Sequence, residues 1–178
     1  MGISAGKPVE VGKSLRELDL RESLSSIGKS RFNGYACVTL LGKAGLEEGL
    51  VVFDSGSLVL SSYEYFKYNR KYTGGEALKR FLNALRSPSG IVDIFSLSAQ
   101  EVKLVRTLKE EWANQSTPTE KLNIPARFSE EFADSLIPRA DREPEKADLM
   151  RKLGLSETKE VPYTKFSLMR RAKSETRQ

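Results

Sequence analysis

The chain has 178 residues, 30% of them charged, with a formal net charge of +5, a single cysteine and no histidine. Without histidine it lacks the commonest general base, the middle member of a hydrolytic triad and the usual transition-metal ligand. One cysteine cannot close an intramolecular disulfide, and with no histidine it cannot build a structural zinc site within one chain. No catalytic residue, cofactor or metal ligand is therefore expected.

No apolar run approaches the ~20 residues of a membrane helix, and the opening stretch MGISAGKPVEVGKS has no apolar signal segment, so the expectation is a cytoplasmic protein. The excess charge lies at the C-terminal end, where residues 165–178 hold Lys165, Arg170, Arg171, Lys173 and Arg177 against only Glu175. That distribution predicts a solvated basic tail more than a basic nucleic-acid-binding face.

Residues 1–18, rich in Gly, Ser and Lys, read as a flexible N-terminal segment. Asp19 and Glu22 have the spacing of a capping box, and Leu20, Leu24 and Ile27 recur at helical spacing, so a helix of about ten residues is predicted, with Gly28 as its stop. Three β-prone runs follow. They are Tyr35–Leu41, Leu46–Phe53 and Leu58–Tyr65, separated by the Gly42–Gly45 turn and by Asp54-Ser55-Gly56-Ser57, and together they predict an antiparallel meander. Cys37, inside the first run, reads as a small buried hydrophobe. The Asp54–Ser57 stretch is read as a hairpin turn, since no helix follows it to bind phosphate.

Thr73-Gly74-Gly75-Glu76 has the form of a second capping box, before an apolar face of Ala77, Leu78, Phe81, Leu82 and Leu85. Ser87-Pro88-Ser89-Gly90 ends that helix, Ile91–Leu97 supplies a fourth strand, and Ser98…Glu101 opens a third helix carrying Val102, Val105, Leu108 and Trp112. Residues 113–128, with two prolines, read as a linker. Residues 129–155 read as a short helical extension, with one helix after Ser129 that stops at Pro138 and one after Pro144 that ends at Gly154. Residues 156–178 read as a flexible basic tail.

The segment Tyr63–Tyr72 (YEYFKYNRKY) stands apart, with five aromatics among ten residues and three interleaved cations. Tyrosine and arginine are enriched at protein hot spots, and aromatics between cations also suit stacked single-stranded bases. Tyr63, Tyr65, Lys67, Tyr68, Arg70, Lys71 and Tyr72 are accordingly the candidate partner-binding residues. The bland alternative places the alternate aromatics Tyr63 and Tyr65 in a strand, with the rest an irregular connection.

Across Phe32–Lys109 a pattern emerges. Phe32-Asn33-Gly34-Tyr35 leads to Gly49-Leu50-Val51-Val52-Phe53-Asp54-Ser55-Gly56, then Tyr63-Glu64, Gly75-Glu76-Ala77-Leu78, Gly90-Ile91-Val92-Asp93-Ile94 and Leu97-Ser98. This order resembles an archaeal family of uncharacterised proteins and, more remotely, the PATAN domain of bacterial signalling scaffolds. The resemblance implies a small sheet packed by a helix that starts at a G-E-A-L-like motif, and a non-enzymatic adaptor that docks other proteins.

The chain is thus expected to be an α+β protein, a small antiparallel meander packed by helices with its core at residues 19–112. It is expected to serve as a protein-interaction scaffold, with an exposed sheet edge as a route to a homodimer. The alternative is single-stranded nucleic-acid or RNA binding through residues 63–72 and the basic tail.

Overall fold

The computed structural model describes residue 3 and residues 5–137, which fall within one unit spanning Met1–Arg139. The expected helix after Pro144 and the tail from residue 156 lie outside the described residues.

The fold is α+β. Seven strands, β1 (Lys7–Ser14), β2 (Gly34–Gly42), β3 (Gly45–Asp54), β4 (Ser57–Tyr65), β5 (Arg70–Thr73), β6 (Ile91–Ser96) and β7 (Ala113–Pro118), form one sheet in which every pairing is antiparallel. Their order is β1-β6-β2-β3-β4-β5, and β7 also pairs with β4. The helices are α1 (Leu20–Lys29), α2 (Gly74–Ala84), α3 (Ala99–Leu108) and α4 (Glu130–Leu136).

The meander forms as expected. Its β3–β4 turn places Ser55 at φ 51° and Gly56 at φ 80°, the doubly left-handed pair of a two-residue hairpin whose twist matches the flanking strands. A bulge at Val59 then shifts the register, so that Val52 faces Leu60 while Phe53 faces Leu58. The bulge puts the consecutive residues Val59 and Leu60 into one apolar cluster.

Strand alternation splits the core into two layers. On one side Ala36, Val38, Leu40, Val51, Phe53, Val92 and Ile94 pack with Leu20 and Ile27 of α1 and with Ala77, Phe81 and Ala84 of α2. On the other, Tyr35, Leu50, Val52 and Leu60 pack with Val102 and Val105 of α3 and with Trp112, which is fully buried.

Two of the three capping boxes act as caps. Ser98 Oγ accepts from Glu101 N at 3.2 Å while Glu101 Oε2 accepts from Ser98 N at 2.7 Å, completing the reciprocal box. Asp19 Oδ1 accepts from Glu22 N at 3.0 Å, and α1 runs one residue past Gly28. Thr73 makes no side-chain cap bond. Glu76 instead reaches forward to Lys79 and Arg80, at 2.9 and 3.0 Å. In α3, Leu108 is 65% exposed and does not join the core face.

Two boundaries need correction. The N-terminal segment is not a loose end: residues 7–14 form edge strand β1 against β6, where Gly12 (φ 70°) donates its N–H to Asp93 Oδ1 at 2.6 Å. The stretch 113–128 is not a linker either. Residues 113–118 pair with β4, Asn114 Nδ2 donates to Ser61 Oγ at 2.8 Å, and Leu122 and Ile124 pack on the first core layer. The core therefore extends well beyond residues 19–112. The helix after Ser129 forms with Ser129 Oγ as its cap, accepting from Phe132 N at 3.1 Å. It ends at Leu136, and Ile137, the residue before Pro138, is extended at φ −67°, ψ 132° as a pre-proline residue prefers.

Candidate functional site: the Tyr63–Tyr72 hairpin, its cavity and the open sheet face

The segment singled out in the sequence is a hairpin. Tyr63 and Tyr65 end β4, a 3₁₀ turn over Phe66–Tyr68 closes with Asn69 in the left-handed region, and β5 returns to pair Tyr63 with Tyr72 and Tyr65 with Arg70. Strand alternation at residues 63 and 65 sends both rings into the first core layer, where they are 2% and 3% exposed. Of the seven candidate partner-binding residues, Tyr63 and Tyr65 thus take the strand placement given as the alternative and stack only within the protein. Tyr63 and Tyr65 lie 5.3 Å apart centroid to centroid, and Tyr72 meets Tyr65 edge-on at 5.9 Å.

Tyr68 and Tyr72 are half-buried against that layer, and Lys67, Arg70 and Lys71 are exposed. Lys67 Nζ sits 5.7 Å from the Tyr68 centroid and Lys71 Nζ sits 4.3 Å from that of Trp112, both within cation–π range.

The buried tyrosines wall a cavity of about 450 Å³ that the sequence pattern did not reveal. Its polar side holds Glu47, Tyr63, Tyr65, Arg80 and Asn83; Leu40, Ala84, Pro88, Phe128, Ala133 and Leu136 supply its apolar side. Tyr63 donates its hydroxyl to Glu47 Oε2 at 2.6 Å. Burial raises the Glu47 carboxyl above its ordinary range, and the Tyr63 hydrogen bond partly offsets this. Burial, together with the Glu47 charge, raises both tyrosines, Tyr65 to about 12. Both hydroxyls therefore remain protonated donors at neutral pH.

Arg80, 6% exposed, stacks its guanidinium 3.6 Å from the Tyr72 centroid and donates through Nη1 to Glu76 O at 2.8 Å and through Nη2 to Leu136 O at 3.4 Å. Its Nε has no hydrogen-bond partner among the described residues. Asn83 exchanges two bonds with the Ser129 backbone, at 3.3 and 3.2 Å. At the rim, Lys43 pairs with Asp134 at 2.9 Å and with Glu130 at 3.3 Å. A sequence signal for Arg80 did exist. It stands at i+3 from Ala77 and i+7 lies at Ala84, so it falls within the buried stripe of α2.

The second side of the sheet is only half covered by the described residues. Directly paired residues share a face, so Ile91, Thr39, Glu48, Glu64 and Lys71 form one row across β6, β2, β3, β4 and β5, with Leu41 and Leu46 in the next. None of these seven is buried; Leu41 is 74%, Leu46 46% and Ile91 41% exposed. Burial pushes the Glu48 carboxyl up, and its cross-strand neighbour Glu64 adds to the effect. Cys37, beside this row, is a free thiol raised by burial to about 12. Among the described residues no three His, Cys, Asp or Glu side chains converge as a metal site, and no helix is long and apolar enough to cross a membrane.

No curated protein and no solved structure matches the chain. A family model described as an uncharacterised protein conserved in archaea (DUF2226) matches residues 1–109, which take in the sheet from β1 to β6, helices α1 to α3 and most of the candidate site. The chain belongs to that archaeal family.

Proposed function

We propose that the protein is a non-enzymatic interaction module that docks another protein on the open half of its sheet. The observation that carries this reading is the row on that face. Glu48 and Glu64 sit directly opposite one another on β3 and β4, an arrangement of like charges that costs stability and that Lys71, opposite Glu64 on β5 with its ammonium over the Trp112 ring, offsets only in part. Exposed Leu41, Leu46 and Ile91 flank them. A partner offering a Lys or Arg to the acidic pair and apolar side chains to the leucines and isoleucine would relieve the repulsion and bury the patch together. The PATAN-type resemblance of Phe32–Lys109 supports the same adaptor role.

The face is a better candidate than the sheet edge. Strand β1 has two register shifts and a left-handed Gly12, devices that blunt an edge against strand addition. At the other end β5 and β7, four and six residues long, each pair with β4 among the described residues, and such short edge strands also blunt the edge. Single-stranded nucleic-acid binding through residues 63–72 is less favoured, since Tyr63 and Tyr65 are buried and Phe66 is the exposed aromatic of the segment.

The test places a photo-crosslinking amino acid at Leu41, Ile91 or, as a control, at Leu104 on α3, which is 56% exposed. Adducts formed in a lysate of the source organism are then identified by mass spectrometry. The expected result is one protein cross-linked at positions 41 and 91, not at 104, and lost on E64K substitution. Equal labelling at 104, or adducts to nucleic acid, would refute the proposal.

A further inference from the structure

We infer that the segment received by the open half of the sheet is an α-helix of the partner, apolar at one end and carrying a pair of Lys or Arg residues further along the same face. The inference rests on the docking role proposed above and names the shape and charge of what docks there.

The first side of the sheet is packed by α1 and α2, whereas among the described residues the second side is packed by α3 and Trp112. These cover the half around Tyr35, Leu50, Val52 and Leu60 and leave the rows of Thr39 and Leu41 open. A segment laid on the middle of a sheet face reaches no strand edge, so its backbone N–H and C=O groups must be satisfied within itself. A helix meets that demand and a lone extended strand does not. The open row runs from Ile91 on β6 through β2, β3 and β4 to Lys71 on β5, a span of roughly 19 Å at the usual strand spacing. A helix covers that distance in about 13 residues. The Leu41 row lies two residues further along the strands, about 7 Å away, so the strip is close to the width of one helix.

Apolar and charged residues are segregated along this strip. Ile91, Leu41 and Leu46 lie toward its β6 end, on β6, β2 and β3, and the acidic pair Glu48–Glu64 is centred between β3 and β4. The two centres are one and a half strand spacings apart, about 7 Å, so the basic residues of the helix fall one to two turns beyond its apolar ones. The chain as a whole carries +5, yet this face is acidic. Glu64 and Asp93 both push the Glu48 carboxyl up. Asp93 Oδ1 is engaged by the Gly12 N–H at 2.6 Å, and the Lys71 ammonium lies over the Trp112 ring, so a basic partner supplies counter-charge that the face itself provides only in part. A second copy of the chain fits less well, because a two-fold pairing of this face with itself would set the acidic patch against its like.

The experiment titrates the isotope-labelled full chain with three alanine-framed synthetic peptides, each about 15 residues long, and follows backbone amide signals by NMR. Each peptide carries leucines on one face of its first turns. On the same face of its last turns the first has a pair of lysines and the second a pair of glutamates; the third is the lysine peptide broken by a central proline. The lysine helix should shift the signals of Leu41, Glu48, Glu64 and Ile91 and bind about tenfold more tightly than either of the others. In E48K/E64K the preference should pass to the glutamate helix. If that double variant fails to fold by circular dichroism, E64K alone should abolish the preference. Equal binding of the lysine and glutamate helices, undiminished binding of the proline peptide, no shift at these four residues, or the same shifts on concentrating the chain alone would each overturn the inference. Cross-linking at positions 41 and 91 judges the docking role separately: a protein captured there through an extended segment keeps that role and overturns the helix.

Discussion

Replacing Tyr63 by phenylalanine removes one oxygen from the core and leaves Glu47 without the donor that holds it at 2.6 Å. The cost depends on the charge of Glu47. Burial raises this carboxyl in the folded state above its unfolded value near 4.5, while the Tyr63 bond pulls it back. For a group whose folded pKa is raised, the stabilising contribution is fully present below the unfolded value. It is lost as pH rises through the folded one.

In the Y63F protein the downward pull disappears, the folded carboxyl titrates higher still, and stability falls further on the way to neutral pH. A hydrogen bond to an ionised group is worth about 1.5–3 kcal/mol and one between neutral groups about 0.5–1.5. The substitution should therefore cost about 1.5–3 kcal/mol at pH 7 and about 0.5–1.5 at pH 4. Urea denaturation at both pH values measures the difference, and the E47Q background supplies the control, because there the cost of Y63F should no longer depend on pH. Equal losses at pH 4 and pH 7 in the parent, or an undiminished pH dependence in E47Q, would refute the assignment of Glu47 as a charged acceptor at neutral pH.

The two helix starts that look alike in sequence should respond differently. S98A should cost about 1 kcal/mol in chemical denaturation, whereas T73A, at a cap whose side chain makes no bond, should stay within about 0.5 kcal/mol. G34A should cost about 1–3 kcal/mol, because its new Cβ would run into the Phe95 carbonyl oxygen and lie 2.6 Å from Phe32 Cζ. Cys37, with its thiol pushed up to about 12, should react with a disulfide reagent at pH 8 far more slowly than a free cysteine, since the thiolate is the nucleophile. Urea should restore the ordinary rate.

What the sequence made legible follows from how each segment is buried. The β2–β3–β4 meander could be read because its strands are apolar and its turn residues are Gly and Asp-Ser-Gly-Ser. Strand β1 was hidden because an edge strand exposed over most of its length needs no apolar alternation, and Lys, Glu and Gly serve there. Strand β7 was hidden for the same reason, its sequence ANQSTP carrying no β signature while its backbone completes β4.

The candidate site was half visible. Aromatic density marked residues 63–72, yet which rings face inward depended on where β4 ends. Arg80 lies in the buried stripe of α2, but an apolar face is traced through apolar side chains, and a charged residue does not mark it. The cavity itself depends on α4 returning over α2, a contact some 50 residues distant in sequence that no local pattern encodes.

Strand β4 has its outer edge divided between two suppliers: β5 takes Ser62–Tyr65, and β7, arriving from beyond α3, takes Ser57, Leu58 and Leu60. The family match stops at residue 109, before Trp112 and β7. A fragment cut at that point would retain every strand of the meander but would strip the lower half of β4. It would bare the backbone donors and acceptors of an apolar stretch, SLVL, and empty the site of the indole that fills the α3 layer. Such an edge recruits its like from a neighbouring molecule. Strand β7 therefore covers an edge that would otherwise invite self-assembly, and a fragment that keeps residues 110–118 should stay monodisperse where one cut at 109 does not.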